Sequence, residues 1–230
     1  MVNAINADRQ AAGLVAVQID TRLMAIAGAR SADMIAKNYF SHTQPDGRNL
    51  FDILNAQRIT WYNGGEIIAW NNYPMEYTVS TANRQWMGSS SHKAIILSKD
   101  LNYVGVGLAL DPVTGKKMWT ADFIKGPDRT GAKVTVATPT ISAGTTATTR
   151  RAYITWSGAD VRLQVLTAGL RSFRVERRVD AGTWSVVWTG TTLRAATFSV
   201  GRGHLTQFRF YAIDNRGNIG PGVLRVVDLR

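Results

Sequence analysis

The sequence predicts an α+β domain followed by an all-β domain, and three observations carry that reading. Residues 1–124 mix helical periodicity with two apolar strands, the opening of an α+β unit. From about residue 139 the pattern changes to short alternating strands separated by Gly, Thr and Asn turns. The charge changes with it. Residues 1–124 carry 11 Lys and Arg against 10 Asp and Glu, whereas residues 125–230 carry 16 against 6, and 14 of those 16 are arginine.

Composition bounds the rest. A chain of 230 residues that is 45% hydrophobic and 19% charged can bury one large core or two ordinary ones. No apolar run reaches the roughly 18 residues that a membrane-spanning helix needs. The start, Met1-Val2-Asn3-Ala4-Ile5-Asn6, has no basic and apolar leader pattern, so a secreted form would have lost its leader. Zero cysteines exclude disulfides and thiolate chemistry. A net charge of +11, concentrated in the second half, favours an anionic polymer as a partner there. A solvated arginine-rich sheet face accounts for the same charge without a partner.

Along the first half, Val2, Ile5 and Arg9 recur at helical spacing up to Gly13. Asp20 suits the N-cap of a second helix with Leu23, Ile26, Ala27, Met34 and Ile35 on its apolar face, ending near Asn38. That ending delivers Tyr39-Phe40 and then His42 into a loop. Pro45-Asp46-Gly47 is a turn, and Leu50-Phe51-Asp52-Ile53-Leu54 begins a short third helix. A fourth helix is expected over residues 77–87, with Val79, Ala82 and Trp86 inward. Strands follow at 103–110 and 117–123, joined by Asp111-Pro112-Val113-Thr114-Gly115. Lys125-Gly126-Pro127-Asp128-Arg129-Thr130-Gly131 marks the junction, giving a first domain of 1–124, a linker of 125–138 and a second domain of 139–230. Seven strands are expected in the second half, at 152–156, 161–167, 173–179, 183–188, 196–200, 207–213 and 223–227, the pattern of an antiparallel β-sandwich. Arg174, Arg177 and Arg209 are expected on solvent-facing strand positions.

Three segments hold two of the three histidines: Ser41-His42-Thr43-Gln44-Pro45-Asp46-Gly47, Gly65-Glu66-Ile67-Ile68-Ala69-Trp70 and Ser91-His92-Lys93-Ala94-Ile95-Ile96-Leu97. With Val104-Gly105-Val106-Gly107-Leu108 they resemble, in order, the motifs of the CAP superfamily, the cysteine-rich secretory, antigen 5 and pathogenesis-related proteins, in its cysteine-free bacterial SCP-like form. The resemblance covers residues 1–124. It implies an α-β-α sandwich, an extracellular or envelope-associated location, and a cleft lined by His42, Glu66 and His92, with Asp46 as the second acid. Two family asparagines are replaced by Ile67 and Ile95; if they normally meet, exchanging both for apolar groups is nearly neutral. The segment Phe208-Arg209-Phe210-Tyr211-Ala212-Ile213-Asp214-Asn215-Arg216-Gly217-Asn218 resembles the penultimate strand and turn of Ig-like or fibronectin-type-III modules, without their corner tyrosine near Thr206.

The cleft residues admit several chemistries. Two imidazoles, His42 and His92, could ligate zinc and lower the pKa of a bound water. Without metal, His and Glu form an acid/base pair. Ser41, Thr43 and Ser91 are the nearby hydroxyls, and none stands out as a nucleophile. The same buried groups also serve simply to hold loops together. Trp61 and Trp70 flank the Glu66 motif and are the groove aromatics, beside Tyr62 and Tyr73, while Trp86 and Trp119 read as core. His204 reads as a surface turn residue. The reading is a non-enzymatic binding protein that takes a small ligand or envelope polymer in the cleft, with no cofactor required. A metal-dependent hydrolase using His42, Glu66 and His92 is the alternative, and adhesion through the basic domain alone is a third.

Overall fold

The computed structural model describes all 230 residues as two compact units. The first comprises Met1–Pro127 with Arg162–Leu166, and the second Asp128–Val161 with Thr167–Arg230. The elements of the first unit are α1 (Val2–Ala11), β1 (Gln18–Ile19), α2 (Thr21–Ala36), α3 (Leu50–Ala56), β2 (Asn63–Asn71), α4 (Met75–Gly88), α5 (Ser90–Ile96), β3 (Tyr103–Leu110) and β4 (Lys117–Lys125). The second unit is all β: β5 (Lys133–Val136), β6 (Thr140–Ala143), β7 (Thr149–Ala159), β8 (Leu170–Val179), β9 (Ser185–Thr191), β10 (Ala195–Gly201), β11 (Leu205–Asp214) and β12 (Val223–Asp228).

In the first unit the sheet runs β1-β3-β4-β2, which leaves β2 as an edge strand. Strand alternation divides its side chains between two helical layers. Ile67, Ala69, Trp119, Ala121 and Phe123 pack with Ile5 of α1, Ala82 and Trp86 of α4, and Ile96 of α5. On the other face Ile68 and Met118 meet Met34 of α2, while Tyr103 and Ile124 meet Leu23 and Ile26 of α2 and Leu50 and Leu54 of α3. The result is a helix–sheet–helix sandwich.

Helix α2 sets the spacing of that sandwich. Asp20 caps it, its carboxylate accepting from Arg22 N at 3.0 Å. Its buried residues, Leu23, Ile26, Ala27, Arg30, Ser31 and Met34, form one stripe at helical spacing. Gly105 and Gly107 lie under that stripe with no side chain between strand and helix. A Cβ on Gly105 would overlap the Leu23–Met24 backbone, and one on Gly107 the Ala27–Gly28 backbone. The Val-Gly-Val-Gly-Leu run is thus a docking floor. With the helix this close, Ser31 Oγ donates to Thr120 Oγ1 at 2.9 Å and to the Gly107 carbonyl at 3.3 Å.

The second unit pairs β10-β7-β5, with β6 also on β7, against β12-β11-β8-β9, all antiparallel. Its core takes alternate residues from both sheets, among them Trp156, Phe173, Phe198, Phe208 and Phe210. The sequence expectation differs here in three places. The segment expected as a linker holds the strand β5, whose Val134 and Val136 face the core while Lys133 and Thr135 face out. The expected strand 161–167 is not one: residues 162–166 belong with the first unit, where Gln164 Oε1 accepts from Val15 N at 2.7 Å. Arg174 and Arg209 share the outer face with Glu176, whereas Arg177, three residues from Arg174, alternates to the inner side and lies over the Phe208 ring.

Because the strand–helix contact has no free volume, Gly105→Ala is expected to cost about 1–3 kcal/mol or more by overpacking. Urea unfolding of the full chain measures it, and a midpoint equal to wild type would show that α2 can move away freely.

Candidate functional site

Strand β2 brings Glu66 into the sandwich opposite Asp122 of β4, and Gly105 of β3 lies on the far side of Asp122. Directly opposed residues share a face, so two carboxyl groups stand side by side beneath α2. Both are buried, Asp122 completely. The counter-charge comes from the helix: Arg30, 1% exposed, donates Nε to Glu66 Oε2 at 2.9 Å and Nη2 to Glu66 Oε1 at 3.2 Å. Its remaining donors tie down the following loop. Nη1 reaches Tyr39 Oη at 2.8 Å, and Nη2 reaches the carbonyls of Ser41 at 2.9 Å and His42 at 3.0 Å. Tyr39 donates its own hydroxyl to Asp33 Oδ2 at 2.6 Å; burial and that bond push its phenol up to about 12, so it stays a donor.

This loop places His42. The chain leaves α2 through Asn38 at φ 50, and His42 then turns its Nδ1 onto Glu66 Oε1 at 2.9 Å. A carboxylate only accepts, so Nδ1 carries the proton and Nε2 is left to the cleft. The His42 side chain is 54% exposed, against 4% for Glu66. His92, carried by α5, is only half-buried, and burial followed by the positive charge of His42 lowers its pKa. It stays neutral near pH 7.

The two carboxyl groups diverge. Burial pushes Glu66 up, but the hydrogen bonds from His42 and Arg30, with the charge of Arg30, outweigh it and hold it below its usual 4.5. Asp122 has no protein donor on either oxygen. Burial, then the charge of Glu66, raise it well above its usual 3.8 against a smaller opposing effect of Arg30. The surroundings therefore favour the charged form of Glu66 and disfavour that of Asp122.

Two hollows flank these groups along β2. One, about 410 Å³, is lined by Phe40, Trp70, Asn72, Tyr73, Gln85 and His92 among others. The second, about 270 Å³, includes His42, Phe51, Gly65, Glu66 and Ile95. A Cβ on Gly65 would press against the far end of the Ile95 side chain. Ile67 lies in the apolar cluster against which Ile95 packs.

Of the residues singled out from sequence, His42, Glu66, His92 and Trp70 line these hollows. Asp46 is elsewhere: it is exposed and paired with Arg48 at 2.7 Å. The acid beside Glu66 is Asp122. Trp61 stacks on Phe51 at 4.8 Å and donates to Asn55, so it packs against α3. The sequence reading passed over Arg30 and Asp122. Each had a signal, because each is a charged residue on the buried face of its element. The cleft does not form a three-ligand metal set. The one cluster of three such side chains whose ligand atoms lie within 4.8 Å of one another is Asp128, Asp160 and Asp214, in the second unit. There every carboxylate caps backbone N–H groups, of Thr130 and Ala168, of Val161 and Gly169, and of Arg216 and Asn218.

The profile of the cysteine-rich secretory protein family, CAP, matches residues 2–123. The chain belongs to the CAP family. Its CAP domain is 36% identical to YkwD of Bacillus subtilis over 124 residues, 54% of this chain and 45% of YkwD. It is 29% identical to the B. subtilis membrane protein YlbC over 125 residues, 33% of that protein. The chain thus spans less than half the length of the curated relatives it matches. Among solved structures, an outer surface protein of Borrelia burgdorferi matches at 18% identity and TM-score 0.48, covering 54% of this chain and 89% of that one. An extracellular SCP-domain protein of Bacillus anthracis matches at 26% identity and TM-score 0.45, covering 53% and 37%. This CAP domain contains no cysteine.

Two outcomes test the electrostatics. Arg30→Met leaves Glu66 buried without its counter-charge, and a loss of about 3–5 kcal/mol is expected in urea unfolding. For Asp122, whose folded pKa is raised, the folded form keeps a proton that the unfolded chain sheds near pH 3.8, so stability falls as pH rises through that window. Glu66 acts oppositely, its stabilisation being lost as pH falls below 4.5 towards its depressed value. Asp122→Asn is expected to flatten the fall above pH 3.8 and leave the acid limb in place. A variant with the wild-type pH profile would show Asp122 ionised in the folded protein.

Proposed function

We propose that this chain is an extracellular binding protein whose CAP domain takes a small ligand or a segment of envelope polymer along β2. The closed Arg30–Glu66–His42 network carries the reading. Both oxygens of Glu66 are already engaged and its pKa is depressed, which makes it a poor proton acceptor. Two of the nearby hydroxyls are engaged as well: Ser41 Oγ accepts from Thr43 N, and Ser91 pairs with Ser89. A pocket with its charges balanced and its walls fixed is suited to holding a ligand. The secretory description of the family supports an extracellular setting, and no helix is long and apolar enough to cross a membrane.

The second domain is read as an Ig-like or fibronectin-type-III-like spacer or envelope-attachment module, supported by its two antiparallel sheets. On its outer face Arg178 and Arg209 both lie against the Trp184 ring, at 4.8 and 4.1 Å, with Arg174 nearby on the same strand as Arg178. That face suits an anionic polymer.

One observation favours the hydrolase alternative. His42 meets Glu66 through Nδ1 alone and burial lowers the pKa of His92, so two imidazoles could hold a zinc ion, which supplies a water of lowered pKa when bound. Glu66, engaged by Arg30, would stand outside that ligand set.

Incubation with casein and with a chromogenic ester, in zinc or in chelator, is expected to give no turnover that the His42→Ala/His92→Ala variant loses. Zinc-dependent turnover lost in that variant would move the assignment to the hydrolase. Separately, retention on heparin through the second domain is expected to weaken steeply between about 50 and about 200 mM salt. Salt-insensitive retention would remove the arginine face from the account.

A further inference from the structure

The larger hollow combines aromatic rings with neutral amides. Phe40, Trp70 and Tyr73 stand about half exposed, at 48%, 46% and 54%, and present ring surface to an open groove. Asn72 and Gln85 line the same hollow and offer neutral amide donors and acceptors. The lining has no carboxylate, lysine or arginine, and its one basic side chain is His92. The Lys116 ammonium rests 4.9 Å from the Trp70 ring centroid and helps hold that ring in place. At about 410 Å³ the hollow falls in the range of small-ligand sites, roughly 300–1,000 Å³.

Three ligand classes meet those features differently. A lipid tail calls for an enclosed apolar cavity, and amides on the wall would lose hydrogen bonds to it. An extended peptide would add to the free edge of β2 through backbone hydrogen bonds. Gln85 Nε2 already donates to the Trp70 carbonyl at 3.3 Å, which occupies a backbone acceptor of that strand. A sugar ring matches both halves of the lining, with C–H faces for the aromatics and hydroxyl and acetamido groups for the amides. We propose that this hollow is a saccharide subsite, in which an uncharged N-acetylated hexose lies on Trp70 and Tyr73 and is hydrogen-bonded by Asn72 and Gln85. The proposal rests on the cleft-binding reading and gives that cleft its ligand class.

Chitotetraose titrated into the full chain, followed by tryptophan fluorescence and calorimetry, is the test. Saturable binding is expected, weakened about tenfold by Trp70→Ala and by Tyr73→Ala, from the loss of ring area on the ligand. Trp70→Phe is expected to retain most of it. Tyr153→Ala, an exposed aromatic of the other domain, is expected to change nothing. Absence of binding to chitotetraose, or binding indifferent to Trp70→Ala, overturns the subsite. Trp70-dependent binding of tetra-alanine or decanoate in its place overturns the saccharide assignment and leaves the cleft-binding reading standing. Zinc-dependent hydrolysis of the casein or ester substrates, lost in the histidine double variant, would instead count against the cleft-binding reading.

Discussion

A single buried guanidinium holds the first domain's site together. Arg30 projects from the apolar stripe of α2 and spends its donors on Glu66, Tyr39 and the carbonyls of Ser41 and His42. Burying such a charge is expensive unless every donor finds a partner, and here the partners come from the edge strand and from the loop after the helix. The same residue that neutralises the cleft carboxylate therefore also fixes the loop that carries His42. Its reach is set further down, where Gly105 and Gly107 admit the helix backbone onto β3.

The pairing of Glu66 with Asp122 shows how a sheet tolerates two acids in directly opposed positions. Only one of them has donors. Arg30 and His42 gather at Glu66, while Asp122, one strand further in, is left to burial, which raises its pKa. The two imidazoles differ for a similar reason: His42 is oriented by a carboxylate, whereas His92 loses basicity to its surroundings and to His42. A symmetrical list of acids and histidines becomes, in three dimensions, one acid favoured in its charged form, one disfavoured in it, one imidazole oriented by a carboxylate and one whose pKa is lowered by burial.

Much of this was legible in the chain. The Asp20 cap, the stripe of α2 and the bounds of β3 follow from local chemistry and alternation, and they stand where those rules put them. The short helix α5 and the strand β2 were harder. The first is only seven residues long, and the second opens on Gly64-Gly65, which reads as a turn until Ile95 is seen to fill the space above Gly65. Asp46 was the nearest acid along the chain to His42, but proximity along the chain does not give strand register. Asp122 enters the site only because β4 pairs with β2 in that register. Arg30 was hidden by its own context, a charge among Leu23, Ile26 and Met34 that pattern reading skips. In the second domain, β5 is four residues long and follows a Gly/Pro-rich stretch, so only pairing with β7 reveals it.

The contact of α2 with the two glycines also bears on how this domain can change over evolutionary time. The position of Arg30, and through it of His42, is inherited from a backbone-on-backbone contact in which no side chain can be adjusted. Substitutions there cannot tune the site gradually, because each one shifts the whole helix. The walls of the larger hollow are under no such constraint: Asn72, Tyr73 and Gln85 are exposed and replaceable one at a time. Relatives built on this frame should therefore diversify in what they hold long before they diversify in how the charged centre is arranged.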